Sequence, residues 1–162
     1  MPKLIVLRGP SGAGKSTVAK RLFEAVSTPI VLVDLDHYRF TVRNQPHDAR
    51  AEYRLAEAAI RAAAGLGSDV IFEGNFRVLP DGRLPLSLFD VRETAVFAFY
   101  MEASLEETLR RHASRSDRRI TAERMVELYP AAKPIELLSE VRLAEGLAVD
   151  EAVTAIRDVS GL

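Results

Sequence analysis

Residues 9–16 read Gly9-Pro10-Ser11-Gly12-Ala13-Gly14-Lys15-Ser16, and they fit the pattern G-x-x-x-x-G-K-[S/T] at every fixed position. Glycines let a backbone curl until successive N–H groups point inward at phosphate oxygens. In this pattern the lysine ammonium reaches the β- and γ-phosphates, and the hydroxyl that follows it ligates Mg²⁺. The stretch therefore predicts a binding site for ATP and Mg²⁺, formed by Gly9 to Ser16 together with Thr17.

The segments on either side of this stretch fit a strand–loop–helix unit. Lys3 to Arg8 is a short β-rich run, and Lys15 to Val26 carries apolar residues at helical spacing. The amino end of such a helix adds its positive dipole end to the phosphate site. Because the Lys15 ammonium would reach the β- and γ-phosphates at this site, we expect Lys15 to be essential for catalysis.

Strand-like and helix-like segments alternate along the rest of the chain, which predicts an α/β fold with a parallel sheet. Helices are predicted over 15–26 and 47–66, after Ser104, from Thr121 to near Pro130, and over 149–159. Five strands are predicted, at residues 3–8, 30–33, 69–72, 94–101 and, weakly, 136–143.

Composition narrows the class of protein further. A length of 162 residues predicts one domain, 1–162, and the net charge of −1 lacks the basic excess of a dedicated nucleic-acid binder. The chain has no cysteine, and its histidines lack metal-ligand spacing, so we expect no metal cluster. No run approaches the roughly 20 apolar residues of a membrane span, so we expect a soluble, cytoplasmic protein without a membrane partner.

Two acidic residues stand where the second predicted strand ends, in Val33-Asp34-Leu35-Asp36. In a parallel sheet the carboxyl ends of the strands face the ligand crevice, so both acids should lie near the phosphate loop. Asp34 is then expected near the waters of Mg²⁺, and Asp36, farther along, near the hydroxyl of a phosphoryl acceptor. A carboxylate in that position can deprotonate the hydroxyl, as kinase chemistry requires.

At this point the chain resembles small P-loop kinases of the shikimate-kinase, gluconate-kinase and polynucleotide-kinase kind. The D-x-D of Asp34 and Asp36 resembles the sugar- and shikimate-kinase pattern, and the D-x-x-R of Asp36 and Arg39 resembles the polynucleotide 5′-kinase pattern. Both resemblances imply that Asp36 contacts the acceptor as the catalytic base, and the second implies that Arg39 holds the acceptor. The resemblance also implies a three-layer α/β/α fold with strand order 2-3-1-4-5 and a small lid after strand 4, at roughly residues 113–130.

The resemblance gives a role to the acid that ends the third predicted strand. In this group that strand often ends in an acid that holds Mg²⁺ through water, or holds a water itself, and Glu73 stands there. Glu73 is thus implied for Mg²⁺ and for the substrate side of the site. The Gly-Gly-Gly segment that shikimate kinases carry here is absent, which argues against shikimate as the acceptor.

Five arginines, Arg110, Arg111, Arg115, Arg118 and Arg119, fall within ten residues, where kinases of this group carry their lid. Arg115 best fits the catalytic lid arginine, with Arg111 and the substrate-side Arg118 and Arg119 as alternates. Arg111 and the stretch 142–146 are the candidates for holding adenine. The alternative is a solvated basic face paired with Glu106, Glu107 and Glu123.

The sequence leaves several functions open. The leading hypothesis is a kinase acting on a small metabolite, nucleoside or antibiotic, with a polynucleotide 5′-kinase as its close variant. A second class is an ATP-binding switch or accessory NTPase that has no acceptor. A kinase-like toxin acting on a sugar nucleotide is a third. The oligomeric state stays open.

Overall fold

The structure is a computed structural model that describes residues 1–42, 50–78, 82–84, 87, 94–114, 116 and 120–162.

A five-stranded sheet forms the centre of the molecule. The strands are β1 (Lys3–Arg8), β2 (Ile30–Asp34), β3 (Asp69–Glu73), β4 (Ala95–Met101) and β5 (Val141–Leu143). All neighbouring strands are parallel and their order is β2-β3-β1-β4-β5, which confirms the predicted topology. The phosphate loop follows the central strand β1, which lies between β3 and β4.

Helices cover both faces of this sheet, because alternate strand residues on each face are apolar. The helices are α1 (Lys15–Ala25), α2 (Leu35–Thr41), α3 (Ala51–Gly65), α4 (Leu105–Ala113), α5 (Ala122–Leu128) and α6 (Val149–Ser160). One core joins the sheet to α3 through Ala56, Ile60 and Ala63, and the other joins it to α1 and α6 through Leu22, Val153 and other apolar residues. The predicted three layers are therefore confirmed.

Two segments differ from the sequence-based prediction. The chain does not stay extended after Asp34, because Asp34 Oδ1 accepts a hydrogen bond from Asp36 N (2.8 Å) and so caps the short helix α2. Asp36 therefore lies in the first turn of a helix rather than farther along a strand. The predicted strand 136–143 is also wrong in its first half, where Glu136–Leu138 forms a 3₁₀ turn. Ser139 (φ 48°) ends that turn in the left-handed region, so only the last three residues pair with β4.

One smaller difference concerns the start of the predicted helix 47–66. Helix α3 is described from Ala51, while residues 47–49 of the predicted helix lie outside the described residues. Among the described residues, no helix has the length and apolar character that a membrane crossing requires.

Candidate active site

The phosphate loop joins the end of β1 to the start of α1, and its glycines are required by close backbone contacts. Gly9 has φ 145°, and a Cβ added there would lie 2.5 Å from Met101 O in the neighbouring strand. Gly12 has φ 86°, and its Cβ would lie 3.1 Å from Thr108 O of α4. Both positions need a residue without a side chain, so the loop can pack directly onto β4 and α4.

Two functional groups of the first helical turn are tied to the loop and to β3. Lys15 Nζ donates to Gly9 O and Pro10 O, each at 3.0 Å, so the ammonium lies over the loop. Ser16 Oγ donates to Glu73 Oε2 at 2.9 Å. The sequence-predicted Lys15, Ser16 and Glu73 are thus brought together at the carboxyl end of the sheet.

Glu73 is the buried acid of this group, with an exposed fraction of 4%. It pairs in register with Leu7 of β1 and with Asp34 of β2, because β3 lies between these strands. Burial raises its pKa; the hydrogen bond from Ser16 and the charge of Lys15 oppose that rise, and the charges of Asp34 and Asp36 add to it. Three carboxylates therefore act on one another near a single ammonium. A divalent cation would relieve that repulsion.

The acceptor-side candidates lie on α2 and are exposed. Asp36 Oδ1 accepts a hydrogen bond from Arg39 Nη1 at 3.0 Å, and the two side chains are 47% and 40% exposed. Arg39 also acts on Tyr53 of α3: burial raises the pKa of Tyr53, and the nearby Arg39 guanidinium opposes that rise. Tyr53 was not singled out from the sequence, because one tyrosine on an Ala-rich helix carries no distinguishing pattern.

Arg111 lies against the other side of the phosphate loop. Its Nη1 donates to Ala13 O (3.0 Å), and its Nε is paired with Glu107. Hydrogen bonds from Arg110 and Arg111 lower the pKa of Glu107 to about 2, so this carboxylate stays charged and orients the guanidinium. A small cavity lies between Arg111, Ala13, Leu143 and Gly146, which brings together the two regions suggested for adenine.

The lid arginines are only partly described. Arg115, Arg118 and Arg119 lie outside the described residues, so their predicted roles stay predictions. Arg110, whose side chain is 70% exposed, pairs with Glu107, as the solvated-face alternative expects. Within the predicted lid range, Met125 of α5 is buried, and its Cε would lie 3.3 Å from a Cβ on Gly12.

Sequence reasoning missed a buried ion pair directly below the phosphate loop. Arg8, the last residue of β1, is 1% exposed, and its Nη1 lies 2.6 Å from Glu140 Oε1. The only signal in the sequence was a charged residue interrupting an apolar strand. Its partner is 132 positions away, so no local spacing could have identified the pair.

The donor set fits a nucleoside triphosphate with Mg²⁺. Mg²⁺ keeps several waters and binds one or two carboxylates together with substrate phosphates, which matches the hydroxyl of Ser16 beside the buried Glu73. Within the described part of the chain there is no cluster of three or more acidic, histidine or cysteine side chains that could hold a metal alone. A metal here would need the phosphates as further ligands.

Comparisons with known proteins agree with this geometry. A family model described as AAA domain matches residues 4–128. The chain is 30% identical over 126 residues to a shikimate kinase of Rhodococcus erythropolis, covering 75% of this chain and 70% of that protein. Among solved structures, a sugar kinase from Janibacter superposes with a TM-score of 0.73 at 16% identity, covering 98% of this chain and 94% of that one.

A second solved structure, from the Pnkp1/Rnl/Hen1 RNA repair complex, superposes with a TM-score of 0.60 at 24% identity. It covers 79% of this chain and 42% of that one, and structural likenesses at these identities show the fold alone. The phosphate loop, the parallel sheet and these matches place the chain in the group of small P-loop kinases. The chain belongs to the AAA domain family.

Proposed function

We propose that this protein is a kinase that moves the γ-phosphoryl group of ATP to a hydroxyl of a small acceptor. The observation that carries the proposal is the bond from Ser16 Oγ to Glu73 Oε2 (2.9 Å), beside Lys15 and within the field of Asp34 and Asp36. Phosphate-binding groups and acceptor-side carboxylates would thus act at one site, as transfer between two bound molecules requires. A cytoplasmic location remains a prediction.

The donor side would hold the triphosphate with backbone and one ammonium. The N–H groups of residues 9–16 and the amino end of α1 would bind phosphate oxygens, and Lys15 would leave the carbonyls of Gly9 and Pro10 for the β- and γ-phosphates. Ser16, Glu73 and Asp34 would hold Mg²⁺ directly or through water. When bound, that ion neutralises charge on the phosphate oxygens.

The acceptor side would supply the base. Asp36 would take the proton from the acceptor hydroxyl while that oxygen bonds to the γ-phosphorus and the bond to the leaving ADP oxygen breaks. Arg39, whose Nη1 lies 3.0 Å from Asp36 Oδ1, would bind the acceptor. The exposure of both side chains leaves room for an acceptor to approach.

The arginines after β4 would complete the site on closure. Arg115 is our candidate for neutralising the transferred phosphoryl, with Arg118 and Arg119 as substrate contacts, because a loose anionic transition state needs cations that arrive with the substrate. Arg111 would hold the base of the nucleotide at the cavity beside Gly146.

A polynucleotide 5′-kinase is the second candidate. The observation in its favour is the ion pair between Asp36 and Arg39, which are the two residues of the D-x-x-R pattern. The fold match to a chain of an RNA repair complex agrees with it. The balanced net charge gives no support for a long nucleic-acid track, so only a strand end would be bound.

An acceptor screen tests the proposal. Protein with ATP and Mg²⁺ is mixed with pools of polyols and sugar acids, shikimate, nucleosides, aminoglycoside-type antibiotics, sugar nucleotides and 5′-hydroxyl oligonucleotides, and both ADP and the phosphorylated product are measured. We expect one pool to stimulate ADP formation with matching product, and Lys15→Ala to lose both signals. Hydrolysis that no pool stimulates would contradict kinase activity and support the ATP-binding switch.

A further inference from the structure

The guanidinium of Arg8 joins segments from three parts of the chain. Its Nη1 donates to Glu140 (2.6 Å), and its Nη2 donates to Phe76 O (2.8 Å) and Lys133 O (3.2 Å). Phe76 belongs to the loop after β3 (residues 74–78). Lys133 and Glu140 belong to the return segment (residues 132–140), which leads from the predicted lid back to β5. Gly9 of the phosphate loop follows Arg8 directly.

Aromatic rings and further hydrogen bonds hold this arrangement in place. The Arg8 guanidinium lies 4.9 Å from the centre of the Phe76 ring and 6.0 Å from that of Tyr100. The Tyr100 hydroxyl donates to Ala132 O. Glu140 uses its second oxygen, Oε2, to accept from Ile135 N at 2.7 Å. The return segment is therefore bound at several points along its length.

Stability alone is a weak reason for such a pair. Removing two charges from water is costly, and well-packed apolar residues of similar volume are often as stable as a buried ion pair. The arrangement has a further cost here, because the buried Arg8 Nε has no hydrogen-bond partner in the part of the chain described. A planar guanidinium does provide direction, since its donors fix several acceptors at once, which apolar packing cannot do.

The loop after β3 leads toward the proposed acceptor side. It begins at Glu73, the partner of Ser16, and Phe76 anchors it in the core at 0% exposure. The next residue, Arg77, is exposed, and its charge and that of Arg39 both act on the hydroxyl of Tyr53. Because Asn75 and Arg77 flank Phe76, the bond from Arg8 to Phe76 O constrains the backbone that carries both residues.

We propose that Arg8, oriented by Glu140, is a positioning residue that holds the loop after β3 and the return segment at a fixed distance from the phosphate loop. This inference rests on the proposed kinase function, because the positioned loop serves the acceptor. Arg8 touches neither substrate. Its loss should therefore impair use of the acceptor while leaving nucleotide binding largely intact.

The test uses a double variant, Arg8→Met with Glu140→Leu, which removes both charges and leaves no buried charge unpaired. Arg8→Lys is the second variant: it keeps the charge opposite Glu140, but a single ammonium cannot reproduce the guanidinium fork. Arg21→Met is the matched control, because Arg21 forms an ion pair with Asp150 that is exposed and joins α1 to α6. Melting temperature, affinity for a non-hydrolysable ATP analogue, kcat and KM for the acceptor, and hydrogen exchange are measured for each.

We expect kcat/KM for the acceptor to fall about tenfold or more in both Arg8 variants, with the analogue Kd changed by less than about threefold. Amides of residues 75–78, 132, 133 and 135 should exchange faster, and Arg21→Met should match the wild type. A folded double variant with unchanged kcat/KM would show that the pair is only structural. An equal loss of nucleotide affinity would also overturn the proposal, because the pair would then act through the phosphate loop.

Two further outcomes are decided by the same measurements. If the double variant does not fold, the comparison of Arg8→Lys with wild type decides by the same criteria. If the wild type itself shows no acceptor-dependent turnover, the kinase proposal fails. Exchange then tests the anchoring by itself, and unchanged exchange at residues 75–78, 132, 133 and 135 in Arg8→Lys would overturn it.

Discussion

The candidate site has a donor side, formed by the phosphate loop with Glu73, and an acceptor side, formed by Asp36 and Arg39. The two sides differ in burial and in the kind of group that they present. On the donor side, the backbone at Gly9 and Gly12 packs closely against the backbone of β4 and α4, and Glu73 is buried. On the acceptor side, Asp36 and Arg39 lie on a short helix with nearly half of each side chain exposed. Backbone groups would bind the triphosphate that every ATP molecule carries, whereas exposed side chains can be exchanged without disturbing the core. We therefore expect the donor chemistry to depend on the fold of the phosphate loop, and the acceptor preference to depend on the exposed residues of α2.

The largest effect is expected on the donor side, from Lys15→Ala. Loss of the one ammonium over the loop should lower turnover by about a thousandfold or more, because preorganised cations carry much of the stabilisation in phosphoryl transfer. Steady-state kinetics with ATP and Mg²⁺ measure this. Lys20→Ala, an exposed lysine of the same helix, is the matched control. Turnover within a few-fold of wild type in Lys15→Ala would place the donor phosphates elsewhere.

Asp36→Asn should impair the chemical step on the acceptor side without impairing nucleotide binding on the donor side. We expect kcat to fall on the order of a hundredfold or more, while ATP affinity stays nearly intact, because the base acts after the nucleotide is bound. Titration with an ATP analogue and acceptor-dependent kinetics measure the two quantities separately. Asp158→Asn, on the remote helix α6, serves as control. A parallel loss of ATP affinity would assign Asp36 to the donor side.

Gly9→Ala tests whether the donor side depends on backbone contact. The added Cβ would meet Met101 O at 2.5 Å in a positive-φ position, so we expect a loss of about 3 kcal/mol in the free energy of unfolding and weaker nucleotide binding. Gly67→Ala is the matched control, since Gly67 also has positive φ (77°) but no atom within 4 Å of its Cβ position. It should cost about 1 kcal/mol. Both free energies of unfolding are measured with denaturant. If Gly9→Ala and Gly67→Ala lose equal amounts, the contact with Met101 O does not explain the requirement for glycine at position 9.

The sequence predicts best those parts of the molecule whose conformation is specified by neighbouring residues. Gly9 to Ser16 specify their conformation locally, so loop, strand and helix were all predictable from the motif. Helix α2 was not, because its start depends on one capping bond from Asp34 to Asp36 N. Apolar residues alone could not place the start of β5, since Ser139 adopts a left-handed backbone that glycine would ordinarily signal. Arg8 and Glu140 meet only through the tertiary fold, so the sequence gives no periodicity that joins them.

The smallest effect expected is a pH dependence of the free energy of unfolding, which arises from Glu73 on the donor side. Burial raises the pKa of Glu73 above the ordinary glutamate value of 4.5, so the folded state binds this proton more tightly than the unfolded state. Stability should therefore fall as pH rises from the ordinary value through the raised one, and Glu73→Gln should remove that fall. The amide oxygen of Gln can still accept from Ser16, so the variant tests charge rather than the hydrogen bond.

Adding ATP and Mg²⁺ sharpens this prediction, because a bound cation favours the carboxylate and so reverses the sign of the effect. Wild type should gain more thermal stability from the ligands as pH rises, and Glu73→Gln should gain less than wild type at the high-pH end. Glu24→Gln, an exposed residue at the far end of α1, is the control. Melting curves across the pH range, with and without ligands, separate the effect of the Glu73 proton from the effect of the bound cation. If wild type and Glu73→Gln respond alike to pH and to Mg²⁺, Glu73 does not take part in metal binding, and the donor side consists of the phosphate loop alone.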